Sequence, residues 1–203
     1  FYKIWLSYYS NPIYFFYFYG FYIKIHQMIK YFLLNILMLS LSIEASPYIE
    51  IDITQQRLYL KNNNVVTSSY PISSSAYGEG QVENSLQTPY GKHSIKIKIG
   101  TNVPKYHFFN SRQHVPQEAR VIHDPVDTKD DFITSRIMWL EGTEDGFNRG
   151  GTVDSFKRYI YIHGTHEEGL IGSKASHGCI RMFNHDVIEL FELVSVDTPV
   201  IIL

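Results

Sequence analysis

The reading turns on Tyr159–Met182, YIYIHGTHEEGLIGSKASHGCIRM, which holds the one cysteine of the chain, Cys179. A single thiol cannot close a disulfide within the chain, so it serves as a nucleophile, a metal ligand or an apolar filler. His177 and Gly178 stand directly before it. His163 lies sixteen positions upstream, at the end of the β-branched and aromatic run Tyr159–Ile162. That spacing lets one strand deliver an imidazole to the place where a second segment delivers a sulfur, the pairing used by thiol acyl-transfer enzymes.

Such chemistry makes demands on the neighbours. A free thiol titrates near ~8.5 and is mostly protonated at neutral pH, so His163 is expected to lower that value. Gly178 permits a tight turn, and the Gly178 and Cys179 amides are candidates for a shared oxyanion site, worth roughly 3–4 kcal/mol of barrier in comparable enzymes. Gly164 and Thr165 follow the imidazole, and either a backbone carbonyl or a hydroxyl at that place would fix its tautomer.

Two segments, Ile162-His163-Gly164-Thr165 and Ser176-His177-Gly178-Cys179-Ile180-Arg181-Met182, resemble the signature blocks of the L,D-transpeptidase catalytic domain, the YkuD-like family. Upstream, Thr88-Pro89-Tyr90-Gly91 resembles that family's Thr-Pro-x-Gly turn, and the similarity runs from about Pro47 to the C-terminus. The resemblance implies an enzyme of the bacterial envelope that acts on peptidoglycan stem peptides without a cofactor or metal. It makes Cys179 the nucleophile and His163 the base, with Ser176, His177 and Gly178 shaping the oxyanion site. Arg181, whose planar fork suits a carboxylate, is the expected substrate-binding residue. The implied reaction transfers the acyl group of a tetrapeptide donor to an amine and forms a cross-link. Hydrolysis of the same bond, as an L,D-carboxypeptidase, is the alternative. Family members also attach proteins to the wall or are acylated by carbapenems.

Outward from this core the chain divides. Residues 1–27 are rich in Phe, Tyr and Ile, and the first methionine is Met28. From there a short start with Lys30, an apolar run over Tyr31–Ile43 and small residues ending at Ala45 have the layout of a secretory signal peptide. The expected domains are therefore 1–27 as translated upstream sequence, 28–45 as signal and 47–203 as catalytic domain, exported to the envelope, the periplasm. The alternative is a membrane-anchored N-terminus with Tyr14–Tyr19 at the interface. A net charge of −2 across 203 residues gives no electrostatic case for nucleic acid.

The remainder reads as strands. Tyr48–Ile53 alternates, Arg57–Leu60 follows, and Lys61–Asn64 is a turn before Val65–Ile72. Ser73–Thr88 is expected to be a mobile loop. His93–Ile99 should have one wet face, because Ile95, Ile97 and Ile99 alternate with Lys96 and Lys98. This first half is expected to be a β-meander. Gly100–Ser135 reads as a long irregular loop walling the substrate cleft. Its His107, His114 and His123 have no metal-ligand spacing. Arg136–Leu140, with Trp139 as core, and Arg158–Ile162 are further strands. Glu167 and Glu168 read as solvated acids. Asn184 is the expected N-cap of a helix carrying Val187, Leu190, Phe191 and Val194 on one face, with its positive end near Cys179. Thr198–Leu203 closes the chain as a strand. The fold expected is mainly β with one substantial helix, a β-sandwich or distorted barrel of the L,D-transpeptidase catalytic type. Two rival functions are a zinc peptidase using His163, His166, His177 or His185 with Cys179, and a non-catalytic wall-binding protein.

Overall fold

The computed structural model describes residues 12–39 and 46–203, which fall into two units, 1–44 and 45–203. In the first, helix α1 runs Pro12–Leu39. Its described side chains, residues 20–33, are exposed. No helix among the described residues is long and apolar enough to cross a membrane. The expected cleavage position, Ala45, and residues 1–11 lie outside the described residues.

In the second unit, alternation of Ile with polar residues builds the first three strands. They are β1 (Tyr48–Asp52), β2 (Arg57–Asn62) and β3 (Val65–Ser73). Asn63 and Asn64 sit at φ 51° and 62° between β2 and β3, the left-handed pair that a two-residue hairpin turn requires. β4 (Gly91–Ile99), the hairpin β5 (His107–Asn110) and β6 (Gln113–Glu118), then β7 (Ile133–Gly142), β8 (Tyr161–Thr165), β9 (Ile180–Met182), helix α2 (Asn184–Leu193) and β10 (Pro199–Ile202) complete it.

The ladder runs β4-β10-β1-β2-β3-β9-β8-β7, and β7 pairs again with β4, so eight strands close a ring with β5 and β6 attached to β7 outside it. The fold is therefore the barrel of the two expected forms. Closure also removes the exposed edges that an open sheet leaves. Only β1–β3 form the expected meander. β4 joins β10 and β7 instead of β3. A bulge between Ile95 and Ile97 interrupts the alternation there, which buries Ile95 and leaves Ile97 exposed. The irregular stretch expected over residues 100–135 contains the β5–β6 hairpin, turned at Ser111 and Arg112 with φ 48° and 68°.

The main core takes Ile49, Ile51, Ile72, Ile95, Leu140, Ile162, Ile180 and Met182 from the strands and Val187, Leu190 and Phe191 from α2. Fully burying one such side chain stabilises the fold by roughly 1.5–3 kcal/mol. Lys98 donates to the carbonyls of Phe191 and Val194 at 2.6 Å each, placing a cation at the partly negative end of α2. The Ser73–Thr88 stretch is tied down, because the Ala76 amide donates to the Ser176 carbonyl and Ser75 bridges to Ser176.

Candidate active site

β8 and β9 lie parallel, with Ile162 opposite Ile180, His163 opposite Arg181 and Gly164 opposite Met182. Successive strand side chains alternate in face, so Ile162, Ile180 and Met182 enter the main core. His163 and Arg181 take the other face. One step earlier in the same register Tyr161 comes beside Cys179, and both pack in a second cluster with Phe109, Ile137 and Trp139. The fold thus sets Cys179 and His163 diagonally across neighbouring strands, on one face. His163 lies within β8 instead of at its end, and Arg158 and Tyr159 belong to the turn before it.

Two backbone groups hold the thiol. The Tyr161 amide donates to Sγ at 3.4 Å, and the thiol donates to the Tyr159 carbonyl at 3.3 Å. Tyr159 sits at φ 59°, a conformation that costs a bulky residue energy and aims its carbonyl at the sulfur. Burial pushes the thiol up to about 12. The Tyr161 hydrogen bond works against this, the Asp131 charge adds to it, and the Arg181 and Arg158 charges oppose it. The sulfur is free, and the residue keeps part of its surface open.

His163 is only 2% exposed. Its Nδ1 lies 2.7 Å from the Gly164 carbonyl, and since a carbonyl can only accept, Nδ1 carries the proton and Nε2 is left as the base. The Thr165 hydroxyl instead accepts the Glu167 amide. Burial pulls the imidazole down to about 4, opposed by the Asp131 charge and the Gly164 hydrogen bond. At neutral pH both partners are therefore neutral. The expected lowering of the thiol by His163 does not occur, because an uncharged imidazole offers a thiolate no counter-charge and desolvation dominates. Nor does the helix end help. The first amide of α2, on Asn184, donates to Glu168 Oε1 at 2.9 Å, so a carboxylate already occupies that positive terminus.

The turn before the thiol is braced by Ser176, whose hydroxyl donates to the Cys179 carbonyl at 2.6 Å and accepts the Gly178 amide at 3.2 Å. That commits the Gly178 amide to the turn itself. Gly178 is required here: its φ is +121°, and an added Cβ would lie 3.3 Å from the Gln87 carbonyl. Gly164 is required for closeness, since a Cβ there would meet the Thr134 carbonyl at 2.7 Å and Asn184 Oδ1 at 2.9 Å.

Arg181, expected to receive substrate, is 1% exposed and already paired. Its guanidinium lies 2.8 Å from Asp131 and 3.0 Å from Glu167. Glu167, expected to be solvated, is itself 1% exposed and also accepts the Thr128 amide and hydroxyl. Asp131 reaches the His177 ring at 3.1 Å as well. These pairs fasten the segment Thr128–Asp131 to Arg181 of β9 and to Glu167 and His177. His166 lies against Phe132 with the rings tilted at 57°, and His185 pairs with Asp186, both away from the thiol's own hydrogen bonds. Among the loop histidines, His107 and His114 meet at 3.0 Å on the hairpin, while His123 faces Glu168.

Asn184 was legible only as a cap; the helix N-cap is Phe183. The Asn184 side chain is fully buried and accepts from Thr134 and Ser135 at 2.6 Å while donating to the Thr165 carbonyl and Glu168. Thr134 and Ser135 reach it through a register shift in β7 opposite β8, with Ser135 at φ 60°. The network locks β7, β8 and α2 behind the imidazole.

YqjB of Bacillus subtilis (strain 168), provisionally named an L,D-transpeptidase, is 27% identical over 158 residues, spanning 78% of this chain and 72% of YqjB. Solved structures that this chain matches include an L,D-transpeptidase from Mycobacterium smegmatis, at 17% identity, TM-score 0.46, 78% of this chain and 59% of that one. LdtMt1 in complex with imipenem is alike at 17% identity, TM-score 0.47 and the same two shares. The chain thus spans 59% of the length of each of those solved proteins. The family model of the L,D-transpeptidase catalytic domain, YkuD, matches residues 46–202, nearly the whole barrel unit. By that match the chain belongs to the L,D-transpeptidase catalytic-domain family.

Proposed function

We propose that this protein is a cysteine L,D-transpeptidase acting on peptidoglycan stem peptides, with Cys179 as nucleophile and His163 as general base. The observation that carries this reading is the placement of the sole thiol and a tautomer-fixed imidazole on one face of β8 and β9. On donor binding the sulfur leaves the Tyr159 carbonyl and passes its proton to Nε2. It then attacks the carbonyl carbon of the third stem residue. The new C–S bond forms as the carbonyl oxygen becomes an oxyanion against the Cys179 amide. The Arg158 and Arg181 charges, which favour the ionised sulfur, ease this charge separation.

Collapse breaks the bond to the terminal D-alanine, and His163 returns the proton to the departing amine. An acceptor amine attacks the thioester, gives its proton to His163, and the proton returns to the sulfur. With another stem's diamino acid as acceptor the product is a cross-link; with water it is the shortened stem of an L,D-carboxypeptidase. A carbapenem would be opened by the same attack and remain on the sulfur. The apolar run before Ala45 supports export to the envelope, with residues 28–45 as signal. A mature chain beginning after Ala45 tests that part.

The test is product analysis by mass spectrometry after incubation with purified tetrapeptide muropeptides. The parent should release D-alanine and yield cross-linked or shortened stems. Cys179→Ala should lose at least roughly a thousandfold in rate. Release of D-alanine by Cys179→Ala at the parental rate would refute the assignment.

A further inference from the structure

We propose that Arg112, at the tip of the β5–β6 hairpin, receives a carboxylate of the donor peptide beside the thiol. This deepens the function proposed above and rests on it for the identity of the ligand. Two guanidinium groups, those of Arg181 and Arg158, bear on the sulfur by their charge, and a third, that of Arg112, lies on the aromatic residues whose backbone cradles it. Arg181 is buried and paired with Asp131 and Glu167. Arg158 is used up on the loop before β4, donating to the carbonyls of Gly80, Gln81 and Gln87 at 3.1, 2.8 and 2.6 Å. Arg112 is different. Its guanidinium lies 4.9 Å from the Tyr159 ring and 5.3 Å from the Trp139 ring and donates once, to Tyr161 Oη at 3.4 Å.

Among the described residues no carboxylate pairs with Arg112, and it is only partly buried. A guanidinium presents five N–H donors in a planar fork, so most of this one stays open to a ligand. Its platform is also the cradle of the thiol. Tyr159 supplies the carbonyl that accepts from Sγ, and Tyr161 the amide that donates to it. Cation and nucleophile are thus built on the same two residues. The Tyr159 and Trp139 rings hold the guanidinium in place without neutralising it, and the left-handed Ser111–Arg112 turn fixes the direction from which it arrives. A stem peptide carries free carboxylates, at the terminal D-alanine and on the diamino acid. Of these three guanidinium groups, Arg112 is the one left unspent to recognise one.

Steady-state kinetics on a tetrapeptide donor test this, using Arg112→Met, which keeps the apolar stem on Trp139, and Arg112→Lys, which keeps the charge. Arg112→Met should raise KM about tenfold or more with kcat changed far less, and Arg112→Lys should recover part of the loss. Donors amidated at the terminal carboxylate or at the diamino acid identify the source: with the relevant one, parent and Arg112→Met should have equal KM. Alkylation of Cys179 by neutral iodoacetamide should proceed at the same rate in all three proteins. An unchanged KM in Arg112→Met for every donor would overturn the assignment, as would equal losses on acid and amide donors. If the parent turns over no stem peptide, but its preference for iodoacetate over iodoacetamide at Cys179 drops several-fold in Arg112→Met, the carboxylate site stands and the stem-peptide function falls.

Discussion

Cys179 rests on two backbone groups, and its neighbour His163 is held in one tautomer by a third. With the thiol near 12 and the imidazole near 4, the resting state is a neutral pair, and in the proposed mechanism ionisation follows donor binding. The acylation rate should therefore rise as pH increases through about 4, where His163 loses its proton. It should then stay level through the range near ~8.5 where an unperturbed thiol would add a second rise. Stopped-flow acylation at a series of pH values reads this directly. The pair itself was legible in the sequence, because the thiol has no other partner of its kind and its flanking letters are specific. The direction of both shifts was not, since it depends on burial supplied by residues far along the chain. Arg181 was misread for the same reason: its acidic partners, Asp131 and Glu167, sit in what the sequence presents as ordinary polar loops.

At the level of elements, the parallel pairing of β8 with β9 brings the two signature blocks together, and α2 is fixed behind them through Asn184. Replacing Asn184 by Ala leaves Thr134, Ser135 and Glu168 with buried groups to satisfy. It should cost roughly 2–4 kcal/mol of stability, measured by urea unfolding. A loss under 0.5 kcal/mol would show that the network is not what holds these elements. Most strands were legible from alternation, and the Asn63–Asn64 turn from its residue types. The β5–β6 hairpin was missed because Ser111 and Arg112 lack the Gly and Asn that usually announce a left-handed turn. The bulge at Ile95–Ile97 was missed because the sequence alternates straight through it.

For the whole molecule, ring closure joins β4 to β7 and β1 to β10, pairings between distant parts of the chain that no local pattern announces. Local pattern alone is thus compatible with both sandwich and barrel, and the β4–β7 pairing decides for the barrel. Two buried histidines, His93 and His163, are both pulled down by burial to about 4 from the ordinary 6.5. Each is neutral in the folded chain where the unfolded chain already binds a proton. Stability should accordingly fall as pH drops from 6.5 to about 4, by roughly 1.4 kcal/mol per pH unit for each histidine, and the histidine contribution should level off below that. Urea midpoints across this range should show the slope, and His93→Gln should reduce it by about half.

The most direct test of the central claim is intact-mass spectrometry of the second unit's thiol after exposure to a carbapenem, followed in time between pH 5 and 9. The account predicts one adduct per chain on Cys179, a rate that is flat across that range, no adduct in Cys179→Ala, and a rate lowered at least a hundredfold in His163→Ala. An adduct that persists in Cys179→Ala, or a parental rate that climbs tenfold per pH unit towards a midpoint near ~8.5, would contradict it.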